Sequence, residues 1–374
     1  MSLPTTESRA DYWIIEPAAL DQWLESAPGL PLALDTEFER VSTFYPIPGL
    51  VQLGLGDRYC LVDPAVAEAS PVFVRMLQAP EVPKILYAMS EDLELFRHWL
   101  NIEPRGLLDL QVGAALAGAG FSVGYARLVE TLFGESLDKS ATRSDWVARP
   151  LTAEQERYAL DDIRFLQPLY EWVFNNLEVR GLTDALAQET ERFAEDLKRD
   201  DPSGYYLRVR GGWTLSAPEQ WVLQGITEWR EQECRMLDKP RNRVLSDALI
   251  LAIISAAPQT TAELHNVQGL PRVVVKRYGE VLLEWLNTMP ATVPADFELI
   301  RCPLTRDEQA LYKQVKRQFV AVAERRDIPV ELLAPRRRLE AVVQSRDLNG
   351  VFTEGWRAPL IEPIRQPVEA LLTS

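Results

Sequence analysis

Short apolar runs alternate with amphipathic stretches in the first half of the chain, whereas the second half is amphipathic throughout. Three runs of strand length come first, PLALDTEF, LVQLGLG and RYCLVD, and Gly56-Asp57 between the last two predicts a tight hairpin turn. Short strands KILYA and GLLD follow, separated by the helical stretch SEDLELFRHWL with Ser90 as its expected N-cap. Two further helical stretches are GYARLVETLFG, with Gly134 as C-cap, and LTAEQERYALDDIRFLQPLYEWVFNNL. In the latter, Thr152 and Gln155 have capping-box spacing, and Leu160, Ile163, Leu166 and Leu169 keep an apolar helical period. Pro168 is expected to kink or interrupt that helix. A hairpin followed by strands alternating with helices predicts a mixed sheet covered on both sides.

A linker, RDDPSGYYLRVRGG, opens the helical half. From Ser216 to about Met289 the pattern predicts four or five short helices, and NTMPATVPADFE then leads to a comparable block beginning LTRDEQALYK. Both blocks read as a long helix, a turn with basic residues and proline, then shorter helices. That shared plan suggests a weak internal duplication of about 75 residues per copy.

Length and composition narrow the chemistry. A chain of 374 residues exceeds one core and suggests two or three domains. It has no apolar run of about 18 residues, and MSLPTTESRA lacks the basic-then-apolar pattern of a signal peptide, so a cytoplasmic protein without a membrane partner is expected. Cys60, Cys234 and Cys302 are too scattered for a disulfide framework or a zinc site, and only two histidines are present. A metal here is expected to be a hard cation held by oxygen. The net charge of −15 argues against a nucleic-acid partner until its distribution is considered. Up to residue 195 there are 31 acidic against 15 basic residues, and beyond it 24 against 25. The first half therefore has carboxylates in surplus for a metal site, while the second can carry local basic surfaces.

In LALDTEF, Asp35 and Glu37 are spaced i, i+2, which on a strand puts both on one face. Either the strand runs out into solvent there, or a divalent cation sits between the two charges. Asp92, in the first turn of SEDLELF, is either helix-start chemistry or a third ligand. Tyr158 and Asp162 stand i, i+4 on a helix, so a phenol and a carboxylate project together, while Asp161 is expected to be solvated. Alone, that tyrosine is better read as a half-buried amphipathic side chain. Four carboxylates brought together from three separate elements suit two divalent ions that serve the attacking and leaving oxygens of a phosphodiester.

Taken in order, DTEF on a strand, SEDLELF at a strand-to-helix junction and Y-x-x-x-D on a helix resemble the three motifs of the DEDD exonuclease superfamily. The tyrosine marks its tyrosine subfamily, and within it the chain resembles the bacterial ribonuclease D family. RVSTFYPIPGLVQLGL and SLDKSATRSDWVARPLTAEQERYALDD support this, and SAPEQWVLQGITEWREQECRMLDKPRNRVLSDALILAI resembles an HRDC domain. The resemblance implies a ribonuclease H-like α/β exonuclease domain at 1–200, a mixed sheet flanked by helices, followed by two all-α HRDC-like helical domains at 212–290 and 300–374. It implies Asp35, Glu37, Asp92 and Asp162 as ligands of two Mg2+ or Mn2+ ions. Asp35 would be shared by both ions, Asp92 would act partly through water, and Tyr158 would position the nucleophilic water. No organic cofactor is implied. The implied activity is metal-dependent 3′–5′ exoribonuclease action, releasing mononucleotides from RNA with a free 3′ end, tRNA precursors among the substrates. A 3′–5′ DNA exonuclease and a silent RNA-binding scaffold remain the alternatives; only a 2′-OH contact tells the two nucleic acids apart.

Substrate contacts are read more openly. Lys139 and Arg143, in LDKSATRSDW, either face the scissile phosphate or are solvated, and Phe38 either stacks on the terminal base or packs in the core. Lys239, Arg241 and Arg243, then Lys276 and Arg277, and similarly Arg336, Arg337 and Arg338, either track a phosphate backbone or form plain solvated faces.

Overall fold

The computed structural model describes residues 12–138, 141, 144–198, 201–348 and 350–373. Six strands, β1 (Trp13–Ile14), β2 (Leu32–Glu39), β3 (Ile47–Leu55), β4 (Arg58–Val62), β5 (Lys84–Leu86) and β6 (Leu107–Asp109), form one sheet ordered β1-β4-β3-β2-β5-β6. β2, β3 and β4 run antiparallel, and the remaining pairings are parallel. The sheet is mixed, as expected, and Gly56 takes φ +65° at the hairpin turn, a conformation glycine reaches without strain. Helices α1 (Pro17–Glu25), α2 (Pro64–Glu68), α3 (Pro71–Gln78), α4 (Ser90–Trp99) and α5 (Leu110–Leu116) accompany it. They are followed by α6 (Tyr125–Phe133), α7 (Ala153–Arg164), α8 (Leu166–Arg180) and α9 (Thr183–Lys198).

Local signals fix most helix ends. The Thr152–Gln155 capping box starts α7, and Gly134 ends α6 in the left-handed region. Ser90 is not the N-cap of α4: Met89 occupies that position, and Ser90 is the first helical residue. The reason lies outside the local sequence. The carboxylate of Asp109, at the end of β6, accepts the N–H groups of Ala88 and Met89 at 3.1 and 3.2 Å, which pins the backbone entering α4 so that the helix begins at Ser90 with Met89 before it.

The later helices are α10 (Ala217–Leu237), α11 (Arg241–Val244), α12 (Asp247–Ala256), α13 (Thr261–Leu264) and α14 (Arg272–Asn287). After them come α15 (Arg306–Arg326), α16 (Val330–Leu333), α17 (Arg336–Ser345) and α18 (Ala358–Thr373). The two series match in plan. Each opens with a capping box and a helix of 21 residues that ends on a left-handed aspartate, Asp238 or Asp327. A helix of 4 residues and one of 10 follow in both, and each series closes on a helix of 16.

The chain folds into two compact units that do not follow chain order. One takes the residues up to Glu39, Ile47–Ala194 and Leu304 onward; the other joins Arg40–Pro46 to Glu195–Pro303. In the first, Leu110, Leu166, Val173 and Leu186 share one core with Phe319, Leu333, Val343, Phe352 and Val368. Inside it Glu189 is buried, and burial alone would raise its pKa. Hydrogen bonds from Arg357 and Arg192 instead hold it at about 2. Trp356 Nε1 donates to the same carboxylate at 2.8 Å. In the second unit Phe44 enters the core with Leu223, Ile226, Ile253 and Leu282, while Asp238 Oδ1 accepts the N–H groups of Phe44 and Tyr45 at 2.9 and 3.0 Å.

Candidate active site

β2 carries Asp35 and Glu37 on one face, paired in register with Gln52 and Leu50 of β3. α7 covers this face: Leu50 packs in a cluster with Ala159, and a Cβ at Gly54 would meet Ile163 Cγ1 at 3.4 Å. α7 brings Asp162 to the strand pair, so that ligand oxygens of Asp35, Glu37 and Asp162 all lie within 4.8 Å of one another. Each is half-buried. Desolvation, followed by repulsion between the acids, raises Asp35 well above the usual carboxylate range and lifts Glu37 to about 9. Asp162 rises to about 7 by burial, although the Tyr158 hydroxyl hydrogen-bonds it and acts in the opposite direction. Three hard oxygen donors that resist sharing a site as anions are what a divalent cation would neutralise. The donor set fits such an ion.

Asp92 lies beside that group rather than in it. Its Oδ1 accepts from Thr36 Oγ1, and its charge reaches Asp35 and Glu37 as a contribution to their raised pKa values. Burial raises Asp92 itself to about 6. Thr36 and Asp109 are residues that the motif reading missed, one holding the Asp92 carboxylate and the other the start of its helix. The intervening Thr36 of DTEF was visible as a short hydroxyl on the opposite face of β2; Asp109, the acid that ends GLLD, had no local mark of its partner.

The end of α7 is also built from outside. The break between α7 and α8 falls at Phe165, three residues before Pro168, because a proline denies the carbonyl of residue 164 its helical N–H. Tyr59 Oη donates to that Arg164 carbonyl at 3.1 Å. Tyr125 Oη donates to the Asp161 carbonyl at 3.1 Å and accepts the Phe165 N–H at 3.3 Å, so a phenol stands where a helical i, i+4 bond would close. Two hydroxyls thus fix the turn that carries Asp162. Asp161, expected to be solvated, is partly exposed and lies 3.7 Å from Arg164.

The expected substrate contacts are dispersed. Lys139 and Arg143 lie outside the described residues. Phe38 is half-buried and follows an irregularity in the β2–β3 register. Arg241 is committed inside the helical unit: it forks onto Glu231 at 2.6 and 2.7 Å, and its guanidinium lies 4.9 Å from the ring centres of both Phe44 and Tyr205. Arg277 is exposed near Glu233, and Lys239, Arg243 and Lys276 are exposed. Arg336 pairs with Glu340 at 2.7 Å, Arg337 is exposed and Arg338 is half-buried.

The stretch that builds the sheet and holds all four acids, residues 2–178, matches the family model of a 3′-5′ exonuclease, and residues 219–286 match that of the HRDC domain. The class is therefore a 3′–5′ exonuclease joined to an HRDC module, and the exonuclease family depends on divalent metal. Ribonuclease D of Pseudomonas paraeruginosa is 34% identical over 352 residues, covering 92% of this chain and 94% of its own length. The Escherichia coli ribonuclease D is 31% identical over 360 residues, with 92% and 94% covered. The crystal structure of E. coli RNase D, an exoribonuclease involved in structured RNA processing, matches with a TM-score of 0.83 at 28% identity over 96% of this chain and 98% of that one. The chain belongs to the ribonuclease D family of 3′–5′ exoribonucleases.

Proposed function

We propose that the chain trims structured RNAs one mononucleotide at a time from a free 3′ end, tRNA precursors among them, with two Mg2+ or Mn2+ ions held by the carboxylate cluster. The observation that carries this reading is the convergence of Asp35, Glu37 and Asp162 within 4.8 Å. Bound divalent ions would supply positive charge to the attacking and leaving oxygens of the phosphodiester. Asp35, Glu37 and Asp162 would hold them, Asp35 serving both, and Asp92 would take part through water. Tyr158 orients the nucleophilic water with the hydroxyl that now hydrogen-bonds Asp162. A DNA exonuclease would share this site, and the family relationship favours RNA.

The domain reading proposed with it is an exonuclease domain at 1–200, an HRDC domain at 212–290 and a second HRDC-like domain at 300–374, the last supported by the matching helix lengths of α10–α14 and α15–α18. Phe38, Lys139, Arg143, Lys239, Lys276 and Arg277 remain proposed RNA contacts; Arg241 serves the fold first, through Glu231. The described residues contain no helix long and apolar enough to cross a membrane, in keeping with a proposed cytoplasmic site of action.

Digestion of 3′-end-labelled and 5′-end-labelled RNA and DNA oligomers tests the proposal. Mononucleotides should appear from RNA, disappear with chelator and return with magnesium or manganese, and Asp35→Asn should lower the rate by at least about 10³-fold. Hydrolysis in excess chelator, or cleavage of circular RNA, would contradict it.

A further inference from the structure

Leu50, Gln52 and Gly54 line the face of β3 that α7 covers. Leu50 packs with Ala159 above it, and a Cβ on Gly54 would meet Ala33 Cβ at 3.1 Å and Ile163 Cγ1 at 3.4 Å. Between these apolar neighbours stands Gln52, directly opposite Asp35 in an unbroken part of the antiparallel register. Residues opposed in this way project from the same face, so the Gln52 amide and the Asp35 carboxyl share the face of the sheet that α7 covers. Gln52 is 0% exposed, yet among the described residues neither Nε2 nor Oε1 has a hydrogen-bond partner.

Such an arrangement is costly, because a buried amide loses its water without replacing it, and native folds rarely keep one without a use. Methionine or leucine would fill the same slot without that penalty. The neighbour that changes its needs is Asp35. When Asp35 serves as a ligand, an oxygen that does not face the ion is left to accept a hydrogen bond, and Gln52 stands directly opposite it in the register. A ligand's outer-shell hydrogen bond fixes its orientation and its affinity for the metal.

We propose that Gln52 is a positioning residue for Asp35, its Nε2–H donating to the Asp35 carboxylate when that carboxylate serves as a ligand. The inference rests on the reading of Asp35 as a metal ligand. It makes Gln52 a residue that is a burden in the metal-free protein and an asset in the loaded one.

The full-length protein and its Gln52→Met and Gln52→Leu variants test this through melting curves without metal, calorimetric titration with Mn2+, and steady-state kinetics on an RNA oligomer. Without metal the variants should melt higher, by about 2–4 °C for each kcal/mol of relieved penalty. Their Mn2+ affinity should fall about tenfold, within the range for loss of an outer-shell partner. kcat should fall comparably, with KM for RNA unchanged. Variants that bind Mn2+ and turn over like wild type would reduce Gln52 to a packing residue. Variants that melt lower without metal, or do not fold, would mean the amide is already satisfied by a buried water, and would equally overturn the proposal. Asp35→Asn is the control: if it binds Mn2+ as wild type does, the ligand reading itself has failed, independently of Gln52.

Discussion

The helical series α10–α14 and α15–α18 share a plan almost element for element, yet they are used differently. The first closes a core of its own, completed by Phe44 from the short Arg40–Pro46 segment. The second contributes Phe319, Leu333 and Val368 to the core of the nuclease unit. Even the equivalent aspartates diverge: Asp238 accepts backbone N–H groups of Phe44 and Tyr45, whereas Asp327 pairs with Arg180 at 2.7 Å. Helix lengths and caps are set by local sequence, but the owner of a core is set by the apolar face that meets it. A duplicated plan need not give two equivalent domains.

The sharpest way to break the comparison is to open each core in turn. Phe319→Ala should cost about 3–5 kcal/mol and Leu282→Ala about 2–5 kcal/mol, as large-to-small changes at buried sites do. The consequences should differ in place. Phe319→Ala should lower the melting transition of the nuclease unit and with it the hydrolysis of short oligomers; Leu282→Ala should spare that hydrolysis and destabilise only the helical unit. Two transitions followed by calorimetry, with activity measured along each, would decide it, and identical behaviour would erase the distinction.

A loss approaching this should follow from Arg357→Met, which removes one of the two guanidinium partners of the buried Glu189 carboxylate and should cost up to about 3–5 kcal/mol. This pair also predicts a pH dependence. Glu189 is held at about 2 against an unperturbed 4.5, so its stabilisation is complete above about pH 4.5 and is lost as pH falls toward 2. The contribution is about 3 kcal/mol. Urea unfolding of the nuclease unit should steepen in that acidic window for wild type and flatten in Glu189→Gln.

The smallest effects should come from the two left-handed aspartates. Asp238→Ala and Asp327→Ala impose similar backbone strain, since φ is 48° and 49°, so their difference isolates what each carboxylate touches. Loss of the acceptor for two backbone N–H groups should cost about 1–2 kcal/mol. Loss of the Asp327–Arg180 pair, whose aspartate is 75% exposed, should cost less than about 1 kcal/mol beyond the strain. Equal losses would show that strain alone governs both positions.

What could be read in the sequence was the part written locally. The i, i+2 acids of β2, the Thr152 capping box, the Gly56 turn and the Tyr158–Asp162 spacing each depend on a few adjacent residues, and each is found as read. Long-range arrangements were not legible. Asp109 holds the backbone that leads into α4 because β6 ends beside it, and Arg241 looks like a free basic group until Glu231 and Phe44 are folded against it. Gln52 reads as an ordinary polar residue in an apolar strand; the register and its lack of a partner among the described residues single it out.

The shared core also imposes a schedule on synthesis. Domains normally fold as they leave the ribosome, in the order in which they are made. Here the sheet and the acids of the nuclease unit are translated early, while Phe319, Phe352 and Val368, which complete its core, arrive some 130–200 residues after α9 begins to emerge at Thr183. The entire Glu195–Pro303 stretch of the other unit is made in between. Until the late helices exist, the nascent nuclease has an open apolar face and no finished framework behind its carboxylates. An enzyme that degrades RNA would thus complete the core of its nuclease unit only after the residues up to Val368 have been translated.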